Sequence, residues 1–226
     1  FYNRRDQKTK NASAKINKKK PQNFDPSSIS HDESGYLDQT VGINLQNRWN
    51  FHKGSFMLGY EFQRDMQTKN ASVTEKFYDR NVHSLFGQVA YNFTHATQAN
   101  LNFRQTWTEA DDAGNKYDKF TPEFVLMHHL DESTMVYGKV GQSFMLPTFS
   151  QLYGGGNIIG VPDLKPEKGM HYELGAKKSI GKNAYRVALY SYKIEDSIDA
   201  VTKDLPDVTY NNVDVKNVGI EFNWTR

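Results

Sequence analysis

Several stretches of the chain alternate apolar and polar residues with the period of two that is typical of a β-strand with one apolar face. The clearest is residues 40–49, and residues 55–63 repeat the alternation after a short break, which predicts a hairpin. In the first stretch one face carries Val41, Ile43, Leu45 and Trp49. The pattern returns at residues 84–93, 100–107, 119–130, 134–143, 170–178, 185–190 and 218–224. It predicts about nine strands, and part of a further strand at residues 1–9.

The connections between these predicted strands alternate between short and long. The short ones fall at residues 50–54, 94–96, 131–133 and 180–183, and the long ones at 10–35, 65–81 and 144–168. Two others, near residues 109–118 and 203–207, are intermediate. Outer-membrane barrels have tight turns on the periplasmic side and long loops on the extracellular side. The alternation therefore predicts a membrane barrel and places residues 144–168 outside the cell.

Hydropathy and aromatic residues bear on the same question. No unbroken apolar run exceeds four residues. A membrane helix needs about 20 apolar residues, so a helical membrane protein is excluded. The low mean hydropathy is compatible with a barrel, because only alternate residues of each strand face lipid. The aromatic residues lie at two levels, as girdles at the two membrane interfaces require. Trp49, Tyr91 and Phe93 lie beside short connections, and Tyr60, Phe62 and Trp107 lie near long ones.

A soluble barrel or sandwich is the alternative to a membrane barrel, because a period of two does not say which face meets lipid. The predicted strands are about 9 to 11 residues long, which suits a tilted crossing of the bilayer better than a soluble sheet. The sequence is therefore predicted to be all-β, a transmembrane antiparallel up-and-down β-barrel.

Charge and composition exclude several functions. The 28 basic and 26 acidic residues nearly balance, which argues against nucleic acid as a partner. The absence of cysteine excludes disulfides, thiolate zinc sites and cysteine catalysis. Residues 154–156 are glycines without the Lys-Ser or Lys-Thr of a phosphate loop, and no nucleophile-elbow motif is present. Adjacent His128 and His129 point to opposite faces of a strand, which disfavours a shared metal ion. We predict no enzyme activity, no cofactor and no metal site.

Four motifs stand in order along the second half of the chain. Residues 142–153 read QSFMLPTFSQLY, residues 162–167 read PDLKPE, residues 172–175 read YELG and residues 217–221 read NVGIE. Their prolines cannot donate to a strand ladder and mark an irregular connection. Together the motifs resemble the barrel signature of TonB-dependent receptors. The positions that carry the resemblance in the connection are Phe144, Pro147, Leu152, Tyr153, Pro162, Leu164, Pro166 and Glu167.

The resemblance covers residues 142–222, and it has two departures. Val161 stands where an Asn usually precedes Pro-Asp-Leu, and Met145 with Leu146 replaces a frequent pair of a basic and a small residue. The departures affect the assignment to a subfamily and not the resemblance to the family. The first 140 or so residues match only as generic barrel strands.

The resemblance implies a 22-stranded barrel in the outer membrane of a Gram-negative cell, with a plug domain in its lumen. All of residues 1–226 would belong to the barrel domain, while the plug, the TonB-binding segment and the last strands would lie outside this sequence. The implied function is TonB-dependent import of a scarce, bulky nutrient, first of all a ferric siderophore. Cobalamin or haem import, a passive porin and a barrel used only for adhesion are the alternatives. TonB, the receptor's own plug and outer-membrane lipid are the expected partners.

Two sets of residues are predicted to carry this function. Aromatic rings and cations in long connections are the candidate ligand contacts, because aromatic rings offer a large contact area at a small entropic cost. They are Phe77, Tyr78, Arg80, Tyr117 and Tyr153. Charged residues on the polar faces of the strands are the candidate plug contacts, with a solvated lumen wall as the alternative. They are Arg48, Glu61, Arg104, Glu173 and Glu221. No histidine lies within residues 144–168, which makes haem less favoured as cargo.

Overall fold

The described residues form one antiparallel sheet of ten strands and a single short helix. The computed structural model describes residues 2–14, 29–71, 74–111, 114–155, 158–202 and 208–226. The strands are β1 Tyr2–Ala14, β2 Ile29–Phe51, β3 Gly54–Ala71, β4 Thr74–Asn92, β5 Thr97–Thr108, β6 Asp118–His129, β7 Thr134–Met145, β8 Glu167–Ile180, β9 Asn183–Thr202 and β10 Val208–Thr225. The helix α1 spans Phe149–Tyr153, between β7 and β8.

The order of the strands in the sheet is their order in the chain, from β1 to β10, so the predicted up-and-down topology is confirmed. The partial strand predicted at residues 1–9 is present and runs on to Ala14. The short connections are also confirmed: tight turns at residues 52–53, 93–96, 130–133 and 181–182 lie along one edge of the sheet. The longer connections between β5 and β6 and between β7 and β8 lie along the opposite edge.

Two of the predicted long loops are wrong. Residues 65–81 continue the β3–β4 hairpin, with unbroken register out to Ala71 and Thr74. Within residues 10–35, residues 10–14 likewise belong to β1 and residues 29–35 to β2, while residues 15–28 lie outside the described residues. The physical reason is that a ladder of backbone hydrogen bonds needs no apolar face, and this part of the hairpin carries polar side chains on both faces. Its side chains therefore carry no alternation for the sequence pattern to detect.

The short turn at residues 130–133 has a side chain that stabilises it. The Oδ1 atom of Asp131 accepts hydrogen bonds from the hydroxyl and from the backbone N–H of Ser133, each at 2.7 Å. These bonds favour the ionised carboxylate and lower the pKa of Asp131 from 3.8 to about 2.

Acid should therefore remove a contribution of Asp131 to stability. A carboxyl whose pKa is depressed in the folded state stabilises the fold above its unfolded pKa, near 4, and loses that effect as the pH falls toward about 2. We expect the stability difference between the full-length receptor and its Asp131→Asn variant to be constant above about pH 4 and to shrink between about pH 4 and 2. Unfolding measured at several pH values checks this, and a difference that stays flat across that window contradicts it.

The two faces of the sheet differ sharply in polarity. One face, the apolar face, presents large hydrophobic side chains that no other part of the described structure covers. They include Ile43, Leu45, Leu85, Leu101, Phe124, Leu126, Leu174, Leu189, Val218, Ile220 and Phe222, all exposed. Water would oppose so large an exposed apolar surface, whereas lipid would solvate it. Among the described residues no helix has the length and apolar character to cross a bilayer.

The connection between β7 and β8 holds most of the buried apolar side chains in the described part of the chain. We call residues 146–155 and 158–166 the strap. Phe149, Leu152 and Leu164 of the strap are buried, whereas Ala99 and Ala188 are the only buried apolar residues among the described side chains of the sheet. The strap contacts the face opposite the apolar one, which we call the polar face. The only compact core of the described structure therefore lies where this connection folds over the polar face.

Candidate functional site: the polar face and the strap

The polar face presents charged and amide side chains that pair across the strands. Register places Glu61 of β3 beside Asn44 of β2, and Asn44 donates to Glu61 at 2.9 Å. Arg104 of β5 forms an ion pair with the same carboxylate. A second row joins Gln88, Asn102, Glu123 and Lys139 through contacts of 2.8 to 2.9 Å. Such rows satisfy buried and half-buried polar groups and leave the outer atoms of the side chains free to meet another surface.

The motif glutamates come together around one arginine. Glu173 lies in the YELG segment of β8 and Glu221 in the NVGIE segment of β10. Arg186 of β9, between them, donates to Glu173 at 2.6 Å and to Glu221 at 3.2 Å. Its Nε also donates to the hydroxyl of Tyr137 at 3.0 Å, and that hydroxyl donates to Glu173. The register of β8, β9 and β10 thus brings two motifs that are distant in sequence into one charged cluster.

Removing Arg186 should destabilise this cluster. We expect Arg186→Ala to lower the free energy of unfolding by about 1 to 2 kcal/mol, because it removes charge-assisted hydrogen bonds on a partly solvated face. Denaturant unfolding of the full-length receptor in lipid vesicles measures the effect. Arg48→Ala is the matched control, since Arg48 donates to the neutral acceptors Ser55 and Gln88, both at 3.3 Å. An equal or larger loss in the control contradicts the prediction.

The start of the strap is held by the β3–β4 hairpin. Register places Arg80 opposite Asp65 and Tyr78 opposite Gln67, all on the polar face. Arg80 donates to the carbonyl oxygen of Pro147 at 2.9 Å, and Gln67 donates to the hydroxyl of Ser150 at 3.4 Å. The hairpin that the sequence pattern missed is therefore the surface on which the strap rests.

The end of the strap is held by β9 and β10. The backbone N–H of Ile159 donates to the carbonyl of Val208 at 2.8 Å. Asn212 accepts from the N–H of Lys165 at 2.9 Å and donates to its carbonyl at 3.0 Å. The strap is therefore fixed at both ends and spans the polar face from β3–β4 to β9–β10.

The helix of the strap presents aromatic rings to β4. Tyr153 stacks on Tyr78 with ring centroids 4.3 Å apart and an interplanar angle of 4°. Phe149, one turn earlier, is stacked 6.2 Å from Tyr78. Thr148 caps the helix: its hydroxyl accepts from the N–H of Gln151, whose side chain accepts from the N–H of Thr148. We call Tyr78, Phe149 and Tyr153 the aromatic shelf.

Polar groups border the aromatic shelf. The hydroxyl of Tyr153 donates to Asp111 at 2.8 Å. Burial, and then the adjacent Asp111 carboxylate, raise the pKa of Tyr153 above its ordinary value. Burial and the Asp111 charge likewise raise the pKa of Tyr117. Both phenols are therefore neutral at physiological pH, and the proton of Tyr153 is already donated to Asp111.

The predicted ligand contacts divide into three groups in the structure. Tyr78 and Tyr153 meet in the aromatic shelf, and Tyr117 lies next to the same Asp111. Arg80 lies beneath the strap and is 8% exposed. Phe77 is exposed, one position from Tyr78 in a strand and so on the other face of the hairpin. Phe77, Tyr78 and Arg80 belong to β4 and not to a loop, which corrects their expected location.

The predicted plug contacts all lie on the polar face. Arg48, Glu61 and Arg104 are close to the β2–β5 side, and Glu173 with Glu221 is on the β8–β10 side. The sequence pattern placed Arg186 on a polar face but did not single it out as a plug contact, and it missed Tyr137, which contacts Glu173 and Arg186. It also missed Asp65 and Asp111, since an acid in an irregular or extended segment gives no signal of the ring or cation it will meet.

The motif positions hold the strap in place. Leu152 and Pro147 are fully buried, and Leu164 is buried as well. The side chain of Glu167 accepts from the N–H of Ile198 at 2.8 Å, which fixes the return into β8. Among the described residues, no group of three or more His, Cys, Asp or Glu side chains is placed to hold a metal ion.

An up-and-down antiparallel sheet with a bare apolar face and a wetted polar face is the wall of a transmembrane β-barrel. A family model described as TonB dependent receptor-like, beta-barrel matches residues 1–226. The chain belongs to this family of outer-membrane receptors.

Solved structures share the fold. The copper transporter OprC is 16% identical with a TM-score of 0.75, over 86% of this chain and 35% of that one. The siderophore receptor PirA from Acinetobacter baumannii is 14% identical with a TM-score of 0.65, over 99% of this chain and 39% of that one. The Serratia marcescens hemophore receptor HasR, in complex with its hemophore HasA and heme, is 15% identical with a TM-score of 0.62, over 86% of this chain and 40% of that one. The chain thus spans well under half the length of these proteins.

Proposed function

We propose that the protein to which this chain belongs imports a ferric siderophore across the outer membrane of a Gram-negative cell, with energy delivered by TonB. Family membership supports the class of transport, and a siderophore receptor and a hemophore receptor among the structural neighbours support an iron-bearing cargo. The plug domain and the TonB-binding segment would lie outside residues 1–226.

One observation carries the capture step of this proposal. The aromatic shelf lies on the polar face at the long-connection edge, where a lumen opens to the outside in a barrel of this orientation. Parallel rings with neutral phenols beside them suit a large ligand with flat and polar parts. We therefore propose that Tyr78, Tyr153 and Tyr117 contact the cargo, whereas Phe77 points to the other face of the hairpin, away from the shelf.

The polar face is proposed to hold the plug. Arg186 shares its guanidinium between two carboxylates, and the side chain of Glu221 is half exposed. Cations of the plug could approach Glu173 and Glu221, and carboxylates of the plug could approach Arg48, whose acceptors are neutral. Glu61 and Arg104 pair with one another and would offer hydrogen bonds to the plug.

Deleting the gene and measuring uptake of defined probes tests the proposal. Ferric enterobactin, haem, cobalamin and Cu²⁺ are supplied separately to the deletion strain and to the complemented strain under limitation. We expect the deletion to abolish uptake of one ferric probe, and loss of TonB to have the same effect. If only haem or cobalamin uptake is lost, that compound and not a ferric siderophore is the cargo. Uptake that persists without TonB indicates a passive channel. No defect with any probe refutes the importer function.

A further inference from the structure

Arg80 is the most deeply buried charged side chain on the polar face of the β3–β4 hairpin that the strap covers. It is 8% exposed, although it was expected to meet ligand. Its guanidinium has three neighbours at once. It donates to Pro147 at 2.9 Å, pairs with Asp65 at 3.4 Å, and lies 5.1 Å from the ring centroid of Phe149.

These three neighbours belong to two different parts of the fold, the sheet and the strap. Asp65 is part of the sheet, and its carboxylate also accepts from Thr40 at 3.1 Å and from Gln63 at 2.7 Å. Pro147 and Phe149 belong to the strap. The guanidinium therefore joins a fixed carboxylate on the wall to the backbone that enters α1. A planar cation with several donors suits this joint, because it can donate in two directions and stack on a ring as well.

The contacts of Arg80 with the strap lie where they control the position of Tyr153 in the aromatic shelf. Pro147 immediately precedes Thr148, which caps α1, and Tyr153 is the last residue of that helix. A short capped helix moves as a unit, so displacing its start displaces Tyr153. Tyr153 keeps its parallel stack on Tyr78 only while the helix stays seated on β4.

We propose that Arg80 is a positioning residue that seats the strap on the sheet and thereby preforms the aromatic shelf before cargo arrives. This inference rests on the proposed function only in that the shelf is taken to meet cargo. Arg80 itself touches no cargo in this arrangement. Its effect on capture is transmitted through Pro147 and Phe149 to Tyr153.

The seating of the strap can be measured without knowing the cargo. The chain has no cysteine, so Ser150→Cys in the full-length receptor introduces a single thiol in the described barrel region, at the point where the strap meets Gln67. The rate at which a bulky maleimide labels this thiol on intact cells reports the lifting of the strap. We expect Arg80→Ala to raise that rate at least about tenfold, because breaking a buried charge pair shifts the local opening equilibrium strongly.

Two further variants keep the test decisive. Arg80→Lys retains the charge without the planar fork of the guanidinium and should raise the labelling rate several-fold. This variant still tests the proposal if the Arg80→Ala receptor fails to assemble. Arg64→Ala is the matched control: Arg64 lies in the same hairpin, on the other face, and pairs with Asp79 at 2.6 Å in an exposed position. It should change labelling by less than about twofold.

Cargo binding supplies the second readout. Ferric enterobactin, haem and Cu²⁺ are titrated singly against each variant, and the heat-modifiable mobility of the barrel on gels is recorded in parallel. Whichever probe binds to the unaltered receptor should bind to the Arg80→Ala variant at least about tenfold more weakly. The mobility of the barrel on gels should be unchanged. Labelling that is unchanged in Arg80→Ala and Arg80→Lys overturns the proposal. If labelling rises but none of the probes binds, the proposed function fails while the role of Arg80 in seating the strap stands.

Discussion

Replacing Gly160 with alanine should prevent the strap from closing. A Cβ atom at this position would lie 2.3 Å from the backbone nitrogen of Gly154 and 2.7 Å from the carbonyl oxygen of Leu152. Backbone atoms cannot swing aside as the end of a side chain can, so the strap must open or shift. Overpacking of this kind costs about 1 to 3 kcal/mol.

Chymotrypsin treatment of intact cells measures this effect. Leu152 and Tyr153 are cleavage sites, and Leu152 is fully buried while the strap is closed. We expect cleavage of the Gly160→Ala receptor to be roughly 5- to 150-fold faster, because cleavage follows the population of the open strap. Gly138→Ala is the control, since its added Cβ would meet only the movable Cδ2 atom of Leu174, at 3.2 Å. Equal cleavage rates in the two variants would contradict the close backbone packing at Gly160.

Placing an arginine on the apolar face should reduce barrel stability strongly. Leu189 is 57% exposed and pairs across the sheet with Leu174 and Ile220, both apolar and exposed. It lies midway between Tyr185 and Lys193 along β9, in the region that the bilayer core would surround. A cation facing lipid at this depth costs about 2 to 4 kcal/mol. We expect Leu189→Arg to lower the free energy of unfolding by that amount.

The same substitution on the polar face provides the comparison. Asn223 of β10 donates to Glu221 at 2.9 Å, so an arginine there would meet a carboxylate and water. We expect Asn223→Arg to change stability by less than about 1 kcal/mol. Reversible unfolding of the full-length receptor from lipid vesicles measures both variants. If both lose stability equally, the assignment of the two faces to lipid and lumen is wrong.

The alternation of apolar and polar residues with a period of two predicted most of the strands that form the membrane wall. Leu45 and Leu189 stand in stretches whose alternate residues are apolar, and both are exposed on the apolar face. The tight turns at one edge were found because each interrupts the alternation within a few residues. The β3–β4 hairpin was missed beyond residue 65 for the converse reason: both of its faces carry polar side chains, and even the buried Gln67 and Arg80 beneath the strap are polar.

The site was predictable only in its parts. Tyr153 and Glu173 were found because they stand in motifs, and Tyr78 because it is an aromatic residue outside the apolar alternation. No local pattern indicates that Tyr78 and Tyr153 stack, or that Arg186 joins Glu173 to Glu221. Arg80 was expected in a loop on the same grounds as Tyr78, and only the fold of the strap over it reveals its burial.

The sequence by itself determined the order of the strands, the two faces of the sheet, the edge with tight turns and the family. These depend on local periodicity and on short ordered motifs, which one chain contains in full. The tertiary structure alone decided that residues 65–81 continue a hairpin, that the strap folds over the polar face and that Arg80 lies beneath it. The hairpin depends on backbone pairing between residues 15 or fewer positions apart, which carries no apolar signal. The position of the strap depends on contacts between residues more than 60 positions apart, such as Arg80 with Pro147, which arise only when the register of several strands brings distant segments together.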